Sequence, residues 1–483
     1  MNRTRRVKIV ATLGPASNTK NKILELTKAG ADVFRINMSH ASHDLMRATV
    51  NSIREVEVEL NYPIGIMVDL QGPKHRLGVF ENGELDVRPG DTIILDSDPT
   101  PGNAKRVHLP HPEILDAMQT GHRLLVNDGK VQLKVIDTGD GWAKTEVLSG
   151  TWLADKKGVN LPDSELTSGV LTDKDREDLA AALKEDIDWI ALSFIQRPED
   201  LAEPRKICQG KVGILAKIEK PQAVEKLDEI IHMADAIMVA RGDLGVEMPL
   251  QAVPSIQKKM IRKCRNAGTP VLVATQMLES MISSPVPTRA EVSDVANAVY
   301  EGADAVMLSA ESAAGDYPFE AVSTMNSIAD AIEQDKGYLH TIAGQRPDPE
   351  PTGADAISFA AAEIADTLDL AAIVCFTASG STGLRAARVR PAKKILTLSP
   401  VPQTARRLAM TWGTHCIITP DAKDLDDIVD KACRIACREG VAKPGDRIII
   451  TAGVPLRTPG STNMLRIAYI DSDGQGSVYQ SGA

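Results

Sequence analysis

The chain has 483 residues, of which 43% are hydrophobic and 25% charged, with a formal net charge of −10. That length supports about two to four domains and a large buried core. The acidic balance and an aromatic content of only 3% exclude a polyanion-binding or base-stacking surface, so no nucleic acid is expected as a partner.

Residues 1–6 are basic, but the apolar stretch behind them is only a few residues long, too short for a signal peptide or a membrane span. No membrane partner is expected. Short runs rich in Val and Ile then recur at 7–12, 33–37, 64–70, 189–194, 213–218, 236–241, 270–275 and 305–309. Apolarity without alternation suits strands buried on both faces of a parallel sheet. The segments between carry helical spacing: Met46, Val50, Ile53, Val56 and Leu60 after the second run, and Val224, Leu227 and Ile231 after the fifth. Repeated strand–helix units of this kind predict a closed (β/α)8 TIM barrel, over 1–72 and 169–342.

The third and fourth runs lie about 118 residues apart, far more than one crossover needs. Alternating segments at 83–96 and 123–149, split by turn residues such as Asn127, Asp128 and Gly129, or Gly139, Asp140 and Gly141, predict a small β-rich domain inserted over 73–168. After the eighth run a helix carrying Val322, Met325, Ala329 and Ile332 leads to a polar, Pro-rich linker at 345–351. Further runs at 371–376, 394–398, 415–418, 446–451 and 465–470 alternate with helices and predict an open α/β sheet, a C-terminal domain over 343–483. The cysteines (Cys208, Cys264, Cys375, Cys416, Cys433, Cys437) form no Cys-x-x-Cys pair. Cys433 and Cys437 share a helix face, but buried thiols are the commoner outcome, and the set points to a reducing, cytoplasmic setting.

A (β/α)8 barrel carries its active site at the C-terminal ends of its strands. Those ends read Thr12; Arg35, Asn37, Ser39 and His40; Asp69; Ser193; Lys217 and Glu219; Arg241, Gly242 and Asp243; Thr275; and Ser309, Ala310 and Glu311. One such residue is an ordinary solvated loop position; polar or charged residues at every end are hard to explain by packing. Glu219 and Asp243 offer hard carboxylate oxygens from adjacent units, which suits Mg²⁺. Lys217 precedes Glu219 by two positions, so both side chains leave an extended chain on one side. An ammonium there neutralises charge on a phosphoryl group in transfer.

At this point the sequence resembles the pyruvate kinase family, on strings that cover nearly the whole chain. They are KIVATLGPAS at 8–17, FRINMSH at 34–40, DLQGPKHR at 69–76, KKGVNLP at 156–162, LAKIEK at 215–220, IMVARGDLGVE at 237–247, ATQMLESM at 274–281, and PTRAEVSDVANAV with MLSAESAAGDYP at 287–318. The resemblance implies phosphoryl transfer from phosphoenolpyruvate to ADP, giving pyruvate and ATP in glycolysis. It implies that Lys217 stabilises the transferring group and that Glu219 and Asp243 hold Mg²⁺, with Mn²⁺ as a substitute. Arg35 would hold the substrate phosphate, and Gly242, Asp243 and Thr275 its carboxylate. Thr275, with Ser309 and Glu311 as relay, would serve the proton delivered to the enolate carbon. Asn37, Ser39, His40, Arg76 and Lys157 would meet the nucleotide phosphates. Ala310 stands where the family commonly has Gly.

Many members read D-T-K-G-P-E-I-R where this chain runs from Asp69 through Leu70, Gln71 and Lys74 to Arg76. Those members need K⁺, held near the positions of Asn37, Ser39, Asp69 and Leu70. Lys74 in place of their glutamate resembles the K⁺-independent, bacterial-like branch without an extra N-terminal domain, in which the ammonium replaces the ion. The C-terminal part resembles the family's effector domain. Thr377, Ser379, Gly380, Ser381 and Thr382, with Arg457 and the loop 458–462, would then bind a phosphorylated activator, although the same residues also read as a plain turn or helix cap. A homotetramer is implied by the family alone. Two other readings remain: a different phosphoenolpyruvate-using barrel, which nothing obliges to carry the inserted domain, and a silent metabolite sensor, which the presence of Lys217, Glu219, Asp243 and Thr275 disfavours.

Overall fold

Eight parallel strands, Lys8–Leu13, Val33–Asn37, Gly65–Asp69, Trp189–Leu192, Gly213–Ile218, Ala236–Ala240, Val271–Ala274 and Ala305–Leu308, close into a barrel in the computed structural model. Neighbours in the chain are neighbours in the barrel, and the eighth strand meets the first with Lys8 opposite Ala305. The structure describes residues 3–166, 169–455 and 462–477. Both faces of these strands are buried, which is why they read as unbroken apolar runs. Several of those runs reach past the hydrogen-bonded strand: Ser193, Phe194, Thr275 and Ser309 lie in the turns beyond, and Arg241 opens the helix Arg241–Glu247.

Strand parity sorts the side chains. Val10, Val33, Met67, Trp189, Ala191, Leu215, Met238, Leu272 and Met307 form one inner cluster that fills the barrel. Moving on by two residues keeps a side chain on the same face. Thr12, Arg35, Asp69, Ser193, Lys217 and Ser309 therefore continue the inner face upward to the mouth. The outer face packs on helices such as His43–Leu60, whose N-cap Ser42 accepts from the Leu45 amide and whose residues Met46, Val50, Ile53 and Val56 are buried.

Between the third and fourth barrel strands lies a separate antiparallel sheet, with one parallel pair, built around its own core of Ile93, Leu95, Leu124, Leu133, Val135 and Val147. Its longest hairpin pairs Val131–Gly139 with Trp142–Ser149, and Gly141 takes φ +71° in the turn. A small two-stranded sheet, Glu84–Asp86 with Trp152–Ala154, accompanies it. Asn160 anchors this unit to the barrel through Nδ2, which donates to Glu247 Oε1 at 2.8 Å.

The C-terminal part is a single open sheet. Thr414–Ile418, Lys394–Ser399, Ala372–Phe376 and Arg447–Gly453 run parallel, and Thr462–Ile470 and Gly476–Ser477 add antiparallel edges. It docks under the barrel, where Ala409 and Met410 join the inner cluster from below. Charged contacts accompany the packing: Arg406 grips Glu57 at 2.8 and 2.6 Å, and Arg390 grips Asp304 at 2.9 Å. The cysteines are free thiols, and only Cys437 is not fully buried. Among the described residues, no helix is long and apolar enough to cross a membrane.

Candidate active site

At the mouth the inner-face residues meet around Asp69, whose side chain is almost fully buried. Arg35 lies one strand away and donates from Nε to Asp69 Oδ2 at 2.7 Å, with Nη2 at 2.6 Å from the same oxygen. Its Nη1 donates to Thr12 Oγ1 at 3.1 Å, and Thr12 in turn donates to the Leu308 carbonyl at 2.9 Å. The guanidinium is thus held along one edge, leaving a further N–H on each terminal nitrogen.

Lys217 occupies the other side of Asp69. Its Nζ lies 2.9 Å from Glu219 Oε1 and 3.5 Å from Asp69 Oδ1, and it donates to Ser193 Oγ at 2.8 Å. Ser193 is fixed because its own hydroxyl donates to the Leu70 carbonyl at 2.9 Å. Burial opposes the charged form of Lys217, but Asp69 and Glu219 outweigh it and raise its pKa. Burial likewise pushes Asp69 upward, but Lys217 and Arg35 prevail and hold it below the ordinary carboxylate value. Asp69 Oδ1 has no hydrogen-bond partner among the described residues.

Glu219 is buried, and its Oε2 accepts from the Phe194 amide at 2.7 Å. Burial pushes its pKa up to about 7, with Lys217 opposing and Asp243 adding to the rise. Asp243 belongs to the first turn of Arg241–Glu247 and is exposed. Two carboxylates close enough to repel, one of them dry, form a hard-oxygen donor set that fits a divalent cation of the Mg²⁺ class.

Thr275 and Gln276 take φ +71° and +54°, a left-handed turn that β-branched residues seldom adopt. The turn is held from two sides. Gly242 N donates to Thr275 Oγ1 at 2.8 Å, and Arg241 Nη2 donates to the Thr275 carbonyl at 2.7 Å while its Nη1 reaches Asp294 at 2.6 Å. A Cβ on Gly242 would stand 3.1 Å from Thr275 Oγ1, so a glycine suits this contact. Glu311 is wholly buried, and its two oxygens accept from the Leu278 and Ser309 amides at 3.2 and 2.7 Å.

The remaining candidates are spread more widely. Asn37 Oδ1 accepts from the Ser39 amide at 3.0 Å, and Ser39 and His40 are exposed. Arg76 Nη1 donates to the Lys156 carbonyl at 2.9 Å, and Lys157 Nζ lies over the Trp152 ring, 5.4 Å from its centroid. Lys74 is exposed and lines a cleft with Asp128, Lys220 and Asp243, and it is not among the partners of Asp69. In the C-terminal loop the Thr377 and Thr382 hydroxyls are engaged internally, with the Gly380 amide at 2.9 Å and Thr462 Oγ1 at 2.8 Å. Ser379 and Ser381 are outward, 3.1 Å apart, and Gly380 takes φ +94° before the helix Ser381–Val389. Arg457 and residues 458–461 lie outside the described residues. Sequence reasoning named Ser193 and Arg241 among the polar strand ends but gave them no role; their part as supports for Lys217 and Thr275 comes from the structure.

Comparisons with known proteins agree along the chain. Residues 4–322 match the family model described as pyruvate kinase, barrel domain, and 355–468 match pyruvate kinase, alpha/beta domain. A pyruvate kinase of Methylorubrum extorquens is 56% identical over 97% of this chain and 98% of that protein. One from Agrobacterium vitis is 45% identical over 96% and 98%. The crystal structure of a pyruvate kinase from Cryptosporidium parvum superposes with a TM-score of 0.89 at 33% identity, covering 96% of each chain.

Proposed function

The chain belongs to the pyruvate kinase family and has that activity, and from this premise we propose how the barrel mouth moves a phosphoryl group between phosphoenolpyruvate and ADP. The observation that carries the reading is Lys217 Nζ, held between Asp69, Glu219 and Ser193 at the end of the inner face.

Arg35 takes the substrate phosphate with the N–H groups that Asp69 and Thr12 leave free, and its fixed plane orients that phosphate. Lys217 faces the same group and offsets the charge that spreads over its oxygens during transfer. Glu219 and Asp243 would hold Mg²⁺, with Mn²⁺ as a substitute, and the ion would supply Lewis-acid charge for the phosphoryl transfer. The Gly242 and Asp243 amides and Thr275 seat the carboxylate. Because Thr275 Oγ1 accepts from the Gly242 amide, its own hydrogen is free to be donated, and Thr275 is the candidate for the proton delivered to the enolate carbon, with Ser309 as the next hydroxyl. Glu311, with both oxygens on backbone amides, positions the Ser309 turn. Asn37, Ser39, His40, Arg76 and Lys157 face the nucleotide phosphates, and the inserted unit over 73–168 closes above them as a lid.

Catalysis proceeds without K⁺. Lys74 lines the cleft beside Asp243, so its ammonium supplies positive charge across the mouth, not by touching Asp69. A phosphorylated activator binds at Ser379, Gly380 and Ser381, the outward part of the loop. The protein works in the cytoplasm as a homotetramer. Its free thiols suit that setting. The deciding experiment is a coupled assay with phosphoenolpyruvate, ADP and Mg²⁺ in a buffer free of monovalent metal ions. Pyruvate and ATP formed in equal amounts are expected. Activity that appears only after KCl is added refutes K⁺ independence and leaves the reaction itself standing.

A further inference from the structure

Beside the barrel mouth a second ammonium, Lys220, is buried, and it borders the same cleft as Asp243. Its Nζ lies 2.5 Å from Glu247 Oε1. Lys220 follows Glu219 directly, on extended backbone with φ −117° and ψ 145°, so the two side chains leave the chain on opposite sides. Glu219 meets Lys217, whereas Lys220 reaches two other elements.

The first is the turn after the fourth barrel strand. Lys220 Nζ stands over the Phe194 ring, 6.0 Å from its centroid. Phe194 takes φ +58°, a left-handed conformation that a bulky residue seldom adopts, and from it the Phe194 amide donates to Glu219 Oε2 at 2.7 Å. Gly72 leaves space for the ring: a Cβ there would stand 2.8 Å from Phe194 Cδ2. The second is the helix Arg241–Glu247. Glu247 is its last residue and Asp243 stands four positions earlier, so the two share one face. Arg241 and Gly242 hold the start of this helix to the Thr275 turn, and Lys220 holds its end. A helix pinned at both ends does not turn about its axis, and such a turn is what would swing Asp243 relative to Glu219.

Stability does not account for the pair. A buried ion pair seldom contributes more than apolar side chains of the same volume. This one is also incompletely satisfied: Glu247 Oε1 accepts from both Lys220 and Asn160, while Oε2 has no hydrogen-bond partner among the described residues. What the pair supplies is direction. One ammonium touches the support of each candidate metal ligand, and Asn160 brings the inserted unit to the same carboxylate.

We propose that Lys220 is a positioning residue for the divalent cation, which fixes the spacing of Glu219 and Asp243 by lying on Phe194 and gripping Glu247. The inference rests on the reading of Glu219 and Asp243 as the metal's ligands. A positive charge this near repels the cation through its field, so position and charge predict opposite effects of removing it.

Mn²⁺ is the probe, because the free ion is counted by electron paramagnetic resonance with the full-length enzyme and no substrate present. Lys220→Met should weaken Mn²⁺ binding roughly 10- to 100-fold, the usual loss when a residue that orients metal ligands is removed. The Mg²⁺ concentration for half-maximal rate should rise in step, while kcat at saturating Mg²⁺ changes far less. Lys220→Gln keeps a donor for Glu247 and carries the test, with a loss of the same sign, if the methionine variant does not fold. Unchanged Mn²⁺ binding in a folded variant overturns the proposal and leaves the pair a structural contact. Tighter binding overturns it too, and shows that Lys220 acts through its charge alone. Glu219→Gln tests the premise and should abolish Mn²⁺ binding. If that variant binds Mn²⁺ as the parent does, the metal reading fails and the proposal with it; if it does not bind while the Lys220 variants bind normally, only the proposal fails.

Discussion

Lys217 shares one ammonium among Asp69, Glu219 and Ser193, an arrangement that keeps it charged and fixes its direction. Lys217→Met should therefore cut turnover by roughly 10²–10³-fold or more, the usual loss when a preorganised charge leaves a reacting centre. The KM for phosphoenolpyruvate should move far less, because Arg35 keeps its hold on Asp69. Steady-state kinetics check both numbers, and near-normal turnover excludes the role. Lys74 makes a second test at this scale. It is exposed in the cleft; if its charge replaces the ion, Lys74→Glu should lower the rate measured without K⁺ and create activation by KCl. Initial rates at constant ionic strength, in a large organic cation buffer, decide it. Strong KCl activation of the unmutated enzyme would show that Lys74 does not do the ion's work. The shared side of Lys217 and Glu219 was legible from their spacing of two. That Asp69 would serve both Arg35 and Lys217 was not, because three separate strands bring those groups together.

Individual elements carry charge of their own. Asp188 immediately precedes the fourth barrel strand, and its Oδ2 accepts from Arg54 Nη2 at 2.7 Å and from the Ile66 amide at 2.8 Å. Burial, opposed by Arg54, pushes its pKa from 3.8 up to about 6. The folded state thus binds this proton more tightly than the unfolded chain does. The resulting stability is full below pH 4 and is lost as pH rises through about 6, roughly 2–3 kcal/mol over the whole titration. Asp188→Asn does not titrate, so its Tm should rise relative to the parent between pH 5 and pH 7.5 in calorimetry run at both values. A constant gap rejects the shift. The helix Ser381–Val389 gives the second element-scale test. If a phosphorylated activator sits on its outward entry, Ser379→Asp with Ser381→Asp places like charge there and should abolish activation by phosphate compounds without changing basal turnover. Activation that survives places the activator elsewhere. The loop was legible as a strand-to-helix turn rich in hydroxyls. Which hydroxyls face outward was not, since Thr382 is claimed by Thr462, 80 residues away.

At the scale of the whole molecule, the barrel and the C-terminal domain are joined by buried ion pairs as well as by packing. Arg406 meets Glu57 through Nε and Nη2 and Asp186 through Nη1 at 2.7 Å. Breaking a buried pair by removing one partner costs about 3–5 kcal/mol. Arg54 still faces Glu57 at 3.2 Å, so Arg406→Ala should fall at the low end of that range. Calorimetry should then show a lower Tm, with the C-terminal domain melting ahead of the barrel and turnover at 25 °C unchanged. A Tm equal to the parent's would mean that apolar docking through Ala409 and Met410 holds the two together without the pair.

What the sequence determined by itself was everything that depends on local period and on residue type at a strand end. Unbroken apolar runs specified buried parallel strands, the long gap with its turn residues specified a separate β unit, and a spacing of two put Lys217 and Glu219 on one side of their strand. Only the tertiary structure decided how those faces meet. Closure of the barrel turned Asp69 into the common partner of Arg35 and Lys217, and it left Lys74 in the cleft away from Asp69. Docking of the C-terminal domain joined Arg406 to Glu57 across 349 positions. The reason is physical: periodicity encodes which way a side chain points, whereas a partner is chosen by the burial and Coulomb energy of the assembled chain, which no local window contains.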